Sequence, residues 1–304
     1  MRVEILMAVY NGERFLEEQL DSIFAQTDSR WHLTVSDDGS ADRSLRILEA
    51  AQERHPEQVR LVHSGRRFGS AKAHFWWLLQ QCRAELVMLC DQDDVWFPQK
   101  VEGFLSALEA LPPEERQRPC LFFSDQIPTD EQLHPLSESL MRYQKQNPGA
   151  LEFQHLVFQN VVTGGASMAN RALVDKALQC RAPEEMIEHD YWLALVASRF
   201  GQIRYLDRAT SYYRQHGDNV EGAKSVNSLD YLRRMSKGGR IRQGILNKKR
   251  QAKAFVQTYE QELGAEETAF LREFSLPSSG WSFKIRSLPL IYGTLRKTGF
   301  LLYG

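Results

Sequence analysis

The chain has 304 residues, 42% hydrophobic and 25% charged, with a net charge of −1, the balance of a soluble globular protein with material for one large or two ordinary domains. No stretch reaches the roughly 18 apolar residues of a membrane span, no signal-peptide layout precedes the first strand-like run, and Cys82, Cys90, Cys120 and Cys180 are scattered without a CxxC pair. These features argue against a helical membrane protein, a disulfide-framed secreted domain and a zinc ribbon, and the expected compartment is the cytoplasm.

Val3–Val9 is a β-rich run followed by the turn pair Asn11-Gly12, and the pattern from Glu13 to Gln26 predicts an amphipathic helix. Trp31–Ser36 is the second strand, and Asp37-Asp38-Gly39-Ser40 leads into a helix reaching about His55. Gln58–His63 is the third strand, Ser64 to Gly69 a loop, and Ser70 is placed to cap a helix running to about Arg83. Leu86–Cys90 reads as a strand buried on both faces, Pro98–Leu111 as a helix with proline in its first turn, and Cys120–Ser124 as a fifth strand. Such βα repeats imply an α/β fold with a mostly parallel sheet and right-handed crossovers.

After Asp125 the alternation breaks. Residues 126–150 predict a long surface excursion, and Phe158–Met168 a strand interrupted by Gly164-Gly165. Pro183–Phe200 reads as a loop entering a helix over His189–Arg199, followed by a strand over Ile203–Leu206 and a β-rich Thr210–Arg214. The rest is mostly helical in pattern and basic: from Ser225 onward there are 14 Lys and Arg against 6 Asp and Glu, so the residues before it are acidic. This split suggests a catalytic body with a tail that faces an anionic partner. The tail holds the basic run Arg233–Arg242, Lys248-Lys-Arg250, and the acid-free segment Trp281–Tyr303 with Lys284, Arg286, Arg296 and Lys297.

Chemistry concentrates at the C-terminal ends of the predicted strands, where open α/β sheets bind ligands. Asp91-Gln92-Asp93-Asp94 follows the fourth strand, and clustered carboxylates repel unless something neutralises them. Magnesium or manganese is the usual answer, and such a cation keeps sites for phosphate oxygens. The bland alternative is an acidic loop capping the next helix. Ala8 to Gly12, Asp37 to Ser40 and Arg66 to Gly69 follow the first three strands. Singly these are turn formers; together they supply an aromatic for a base, a carboxylate for a base or ribose, and cations for phosphate, the outline of a nucleoside-diphosphate site.

Order and spacing resemble family 2 glycosyltransferases of the GT-A fold. The resemblance is carried by Ala8-Val-Tyr-Asn-Gly12, Ser22-Ile-Phe-Ala-Gln-Thr27, Ser36-Asp-Asp-Gly-Ser-Ala-Asp42 and Cys90-Asp-Gln-Asp-Asp-Val-Trp-Phe-Pro-Gln-Lys100. It continues through Val162-Thr-Gly-Gly165, Glu188-His-Asp-Tyr-Trp192 and Arg214-Gln-His-Gly-Asp-Asn219. Within the family these motifs look most like the bacterial rhamnosyltransferase-type branch, which uses dTDP-L-rhamnose to build cell-wall polysaccharide or O-antigen. The resemblance covers about residues 1–224 and implies a GT-A domain there, with a nucleotide-sugar half to about 125, an acceptor half to 224, and a basic helical extension over 225–304.

The same resemblance implies roles. Asp38 contacts the nucleobase, with Ala8 and Tyr10 lining its pocket and Asn11, Gly39 and Gln92 also on the donor side. Arg67 reaches toward the diphosphate. Asp91 and Asp93 form the metal-binding pair, Asp93 touching the metal directly, with His216 as a further ligand and Asp94 behind them. Asp190 is the general base of an inverting transfer, taking the proton of the attacking hydroxyl, although it also suits a helix N-terminus for structural reasons alone. Trp96, Tyr191 and Trp192 are candidates for stacking on sugar rings or for the core. The expected partners are a nucleotide-diphosphate sugar and a polyprenyl-linked or oligosaccharide acceptor, with no nucleic acid. The resemblance leaves open a homodimer.

Competing classes lose on named features. A dehydrogenase needs G-x-G-x-x-G after its first strand, where Ala8-Val-Tyr-Asn-Gly-Glu13 stands instead, and no P-loop is present. A sugar-phosphate nucleotidyltransferase needs a Gly-rich basic loop at the same place. UDP-hexose or UDP-HexNAc transfer and a non-catalytic nucleotide-sugar binder remain as alternatives. The tail suits either a peripheral helix on an anionic membrane or an extension packed on the body or on a second copy.

Overall fold

The computed structural model describes residues 1–217, 239–291 and 294–304. The end of the Arg214–Asn219 motif, the boundary near 224, Tyr292 and most of the basic run 233–242 lie outside them.

In chain order the elements are β1 (Val3–Val9), α1 (Leu16–Phe24), β2 (Trp31–Asp37), α2 (Ser44–Arg54), β3 (Val59–Leu61), α3 (Ala71–Gln81), β4 (Leu86–Cys90), β5 (Val95–Trp96) and α4 (Lys100–Glu109). Then come α5 (Pro113–Arg116), β6 (Cys120–Thr129), α6 (Leu140–Tyr143), α7 (Phe153–Phe158), β7 (Ser167–Asn170), α8 (Arg171–Ala177), α9 (His189–Phe200) and β8 (Gln202–Arg214). Helices at Gly239–Tyr259, Ala265–Ser275, Trp281–Ser287 and Thr294–Tyr303 follow. Among the described residues no helix is long and apolar enough to cross a membrane.

The eight strands form one sheet in the order β3-β2-β1-β4-β7-β6-β8-β5. β3, β2, β1 and β4 run parallel, as the βα repeats predict, while β7 is antiparallel to both β4 and β6. The period-two side-chain alternation of each strand splits the core between two faces. Ile5, Met7, Met88, Cys90 and Phe122 pack under α1, α2 and α4, while Leu6, Val87, Leu89, Leu121 and Phe123 pack under α3, α8 and α9. The second face is also covered by the C-terminal helices, since Phe255, Tyr259, Phe274 and Phe300 belong to the same cluster as Trp192. That packing accounts for the helical pattern of the tail: its apolar stripe has a partner on the body.

Three expectations after Asp125 are corrected. β6 does not stop at Ser124; it continues to Thr129, buried almost throughout, in parallel register with β8. Segment 158–168 is the end of α7, a loop, a single 3₁₀ turn at Gly164–Ala166 and the start of β7 rather than one interrupted strand. The two short runs after α9 are one strand, β8, which bends past register shifts near Ser124 and Asp125. Here β6 and β8 carry buried polar residues, Gln126 and Ser211, which break the apolar signature of a strand.

Candidate active site

β1, β2 and β4 lie side by side and deliver their following loops to one end of the sheet. The first two loops are tied to each other. Asn11, at φ 48°, donates its N–H to Ser40 Oγ and accepts from Ala41 N–H, both at 2.8 Å. Asp37 accepts from the N–H of Gly39 and Ser40 at 2.9 Å, a tight turn that puts Gly39 at φ 77°, where glycine is the strain-free residue. Gln92 from the β4 loop pairs its carboxamide with the main chain of Tyr10, at 2.8 Å and 3.1 Å. Asn11, Gly39 and Gln92 therefore hold the walls of the site together.

Asp38 is buried, and its carboxylate accepts from the N–H of Phe68 at 2.5 Å and of Gly69 at 2.8 Å. It thereby fixes the loop that carries Arg67, whose guanidinium lies 4.5 Å from the centroid of the exposed Tyr10 ring. Ala8 is partly open beside them.

The acidic cluster is organised from several directions. Asp94 is fully buried and accepts from Gln126 Nε2 at 3.1 Å and Arg214 N–H at 3.3 Å. Asp93 Oδ2 lies 2.7 Å from His216 Nε2, and Arg214 Nε donates to the Asp93 carbonyl. Desolvation first, and the Asp93 charge second, push Asp91 up to about 7 against the pull of Lys100; burial and the other two acids push Asp94 well above the usual carboxylate range. Among the described residues no three acids, histidines or cysteines already converge on one point. The donors present nevertheless fit a hard divalent cation: carboxylates in enforced proximity and one imidazole, crowded enough that protonation competes with charge. Asp91, Asp93 and His216 are the groups that could hold it.

Asp190 lies in the first turn of α9 and is partly exposed. Its Oδ2 accepts the Gly164 N–H at 2.9 Å. A Cβ at Gly164 would stand 3.5 Å from that oxygen, and a Cβ at the next residue, Gly165, would stand 2.6 Å from Asp91 Oδ2. One dipeptide therefore spans from the acidic cluster to Asp190. His189 is withdrawn from this chemistry: buried and stacked on Phe75, it is pulled down to about 3 by desolvation.

The sugar-stacking candidates are core residues. Trp192 is wholly buried against Phe255 and Tyr259 and donates Nε1–H to Ala177 O. The Tyr191 hydroxyl donates to Leu156 O at 2.6 Å. Trp96 is 2% exposed and lies under the ammonium of Lys100. None of the three offers a ring face to a ligand. Lys100 itself, buried on the first turn of α4, is the residue that sequence reasoning passed over. Its signal in the sequence was its place at the end of the Cys90–Lys100 motif.

Residues 4–114 match the model of the family described as Glycosyl transferase family 2. The chain is 27% identical over 246 residues to dTDP-rhamnosyl transferase RfbG of Shigella flexneri, covering 75% of this chain and 77% of the relative. Its structure resembles S. aureus TarS in complex with UDP, with a TM-score of 0.59 at 14% identity over 95% of this chain and 72% of that one. It also resembles the mannosyltransferase PcManGT from Pyrobaculum calidifontis in complex with GDP-Man and Mn2+, with a TM-score of 0.54 at 14% identity over 99% and 74% of the two chains. At such identities the likeness is one of fold, and the fold is GT-A.

Proposed function

We propose, from the match of residues 4–114 to the model of glycosyl transferase family 2, that this chain transfers a sugar from a nucleoside-diphosphate donor to a hydroxyl acceptor with inversion at C1, and that the sugar is L-rhamnose from dTDP-rhamnose. The observation that carries the reaction type is the Gly164-Gly165 dipeptide, with Asp190 against one residue and the carboxylate of Asp91 against the other. An inverting transfer needs a leaving-group site and a base on opposite sides of one reacting carbon. Likeness to RfbG supports the rhamnosyl assignment.

In this reading the nucleobase stacks on Tyr10 beside Ala8, in a pocket shaped by Asp38, Asn11 and Gly39, and Arg67 turns from Tyr10 to the diphosphate. Asp91, Asp93 and His216 would hold magnesium or manganese, which when bound would offset the negative charge of the departing diphosphate. Asp190 accepts the proton of the acceptor hydroxyl while its oxygen bonds to C1 and the bond from C1 to the diphosphate oxygen breaks. The Gly164 N–H holds that carboxylate in place. Residues 1–125 thus serve the donor, 126–224 the acceptor, and the extension from 225 supports the second half.

The acceptor is a polyprenyl-linked saccharide or a soluble oligosaccharide of cell-surface polysaccharide synthesis, met at the cytoplasmic face of the membrane. Support comes from the acid-free C-terminal segment, where Trp281, Ile285 and Leu302 are exposed at 68%, 59% and 66% and the exposed Arg286 pairs with Glu273 of the preceding helix. Aromatic and aliphatic side chains set among cations suit an anionic bilayer surface.

A UDP-hexose or UDP-HexNAc donor is the second reading, favoured by the fold shared with the UDP complex of TarS. Thermal-shift screening of dTDP-, UDP- and GDP-sugars with and without manganese separates the two, because the true donor raises apparent stability by mass action. Binding without release of nucleoside diphosphate to any acceptor would instead mark a non-catalytic binder.

A further inference from the structure

Lys100 is enclosed completely, a costly position for an ammonium group unless its donors are satisfied. Nζ donates to Gly165 O at 2.6 Å and to Ser211 Oγ at 3.4 Å, and lies 4.0 Å from the centroid of the Trp96 ring. Ser211 Oγ also accepts from Gln126 Nε2, which donates to Asp94. The cation thus sits beneath the acidic cluster with its strongest bond made to a main-chain carbonyl.

That carbonyl belongs to a segment with little stiffness of its own, since consecutive glycines have the widest backbone freedom of any pair. Yet Gly164-Gly165 keeps two tight appointments. Gly164 N–H meets Asp190 Oδ2 at 2.9 Å, and Gly165 lies so near Asp91 Oδ2 that an added Cβ would stand 2.6 Å from it. Two tethers supply the missing stiffness. Ser167 Oγ donates to Gly164 O at 2.8 Å, and Lys100 holds Gly165 O. The serine tether is local to the turn, whereas the lysine ties the turn to α4 and to the floor under Asp91 and Asp94.

We propose that Lys100 is a positioning residue, which by holding the Gly165 carbonyl sets the spacing between the Asp91–Asp94 cluster and Asp190. The proposal rests on the reading of Asp190 as the base, but one arm of its test does not.

The test compares the full-length wild type with Lys100→Met, Asp190→Asn and the double variant. Hydrogen exchange of the Gly164 amide, followed by mass spectrometry on the metal-free protein, reports the tether without any catalysis. Lys100→Met is expected to speed that exchange by about tenfold or more; unchanged exchange overturns the proposal. In transfer assays Lys100→Met is expected to lower kcat by about tenfold or more with donor KM within about twofold, and to add little to the loss in Asp190→Asn. Losses that multiply in the double variant overturn it, because a lysine that only stabilises the fold acts independently of Asp190. Should Lys100→Met fail to fold, Gly165→Ala disturbs the same spacing while keeping the lysine, and wild-type exchange and kcat in that variant overturn the proposal. If the wild type transfers no sugar, the proposed function fails while the exchange arm still decides the tether.

Discussion

Asp93 and His216 meet at 2.7 Å although 123 residues separate them in the chain. The contact brings the end of β8 onto the loop after β4, and neighbouring Arg214 reinforces it through the Asp93 carbonyl and an ion pair with Glu18. Removing either partner is expected to weaken manganese binding. His216→Ala and Asp93→Asn should each raise the Kd for Mn2+, measured by electron paramagnetic resonance of the free ion, by roughly tenfold or more, or ~1.4 kcal/mol. Wild-type affinity in both variants would remove these two residues from the metal site.

The Asp91 carboxyl titrates near 7 because it is desolvated beside Asp93. Its folded-state affinity for protons exceeds that of an unfolded chain, where a carboxyl titrates near ~3.9. Between those values the folded state binds the extra proton, so this group costs stability as pH rises through the window. The Tm of metal-free protein is therefore expected to fall between about pH 4 and about pH 7, with a shallower slope in Asp91→Asn. Manganese should reverse the trend, because binding needs the ionised carboxylate and releases the proton. A pH-independent difference between the two proteins would contradict this.

The helix Gly239–Tyr259 buttresses the segments that flank Asp190. Gln251 Oε1 accepts from Ile187 N–H at 2.9 Å, Lys248 Nζ donates to Phe158 O, and Phe255 packs on Trp192 and Phe153. Deleting everything beyond residue 238 would strip one face of the core, so that variant cannot report on membrane binding alone. Phe255→Ala is expected to cost about 3–5 kcal/mol in chemical denaturation, and Gln251→Ala to lower kcat more than it lowers stability. A Phe255→Ala loss under about 1 kcal/mol would show that the tail is only loosely attached.

Membrane contact is better tested by point changes on the exposed face. Trp281→Glu with Ile285→Glu should reduce co-sedimentation with vesicles rich in anionic lipid while leaving the Tm close to that of the wild type. Equal sedimentation of the two proteins would leave this surface without a membrane role.

Strands β1 to β4 were legible in the sequence from their β-rich, largely apolar runs and from the Asn-Gly and Asp-Gly turns after the first two, whereas the two-residue β5 was not. After Asp125 the helix at His189 and the two halves of β8 were legible, and the extent of β6 and the turn at Gly164 were not. β6 continues through Gln126, a polar residue whose amide bonds Asp94 and Ser211 in the interior, and a buried polar pair reads as loop in any linear pattern. The motif residues of the site were identified by type and spacing, yet their engagement within the fold was not. Gln92 clamps Tyr10, Asp38 already holds the 64–69 loop, and the Trp and Tyr after Asp190 form core rather than a sugar platform. A sequence gives the chemistry of a side chain but not whether its polar atoms are already engaged. The link from Lys100 through Gly165 and Gly164 to Asp190 was invisible for the same reason, since each of its two hydrogen bonds has a main-chain atom as one partner.

In the proposed transfer, Asp190 is the base, and Gly164-Gly165 lies between it and Asp91. The direct measurement is nucleoside-diphosphate release and sugar transfer by Asp190→Asn, with donor binding followed in parallel by calorimetry. Turnover is expected to fall by about 10²–10⁴-fold with donor affinity unchanged. Near-normal turnover in Asp190→Asn would contradict the account.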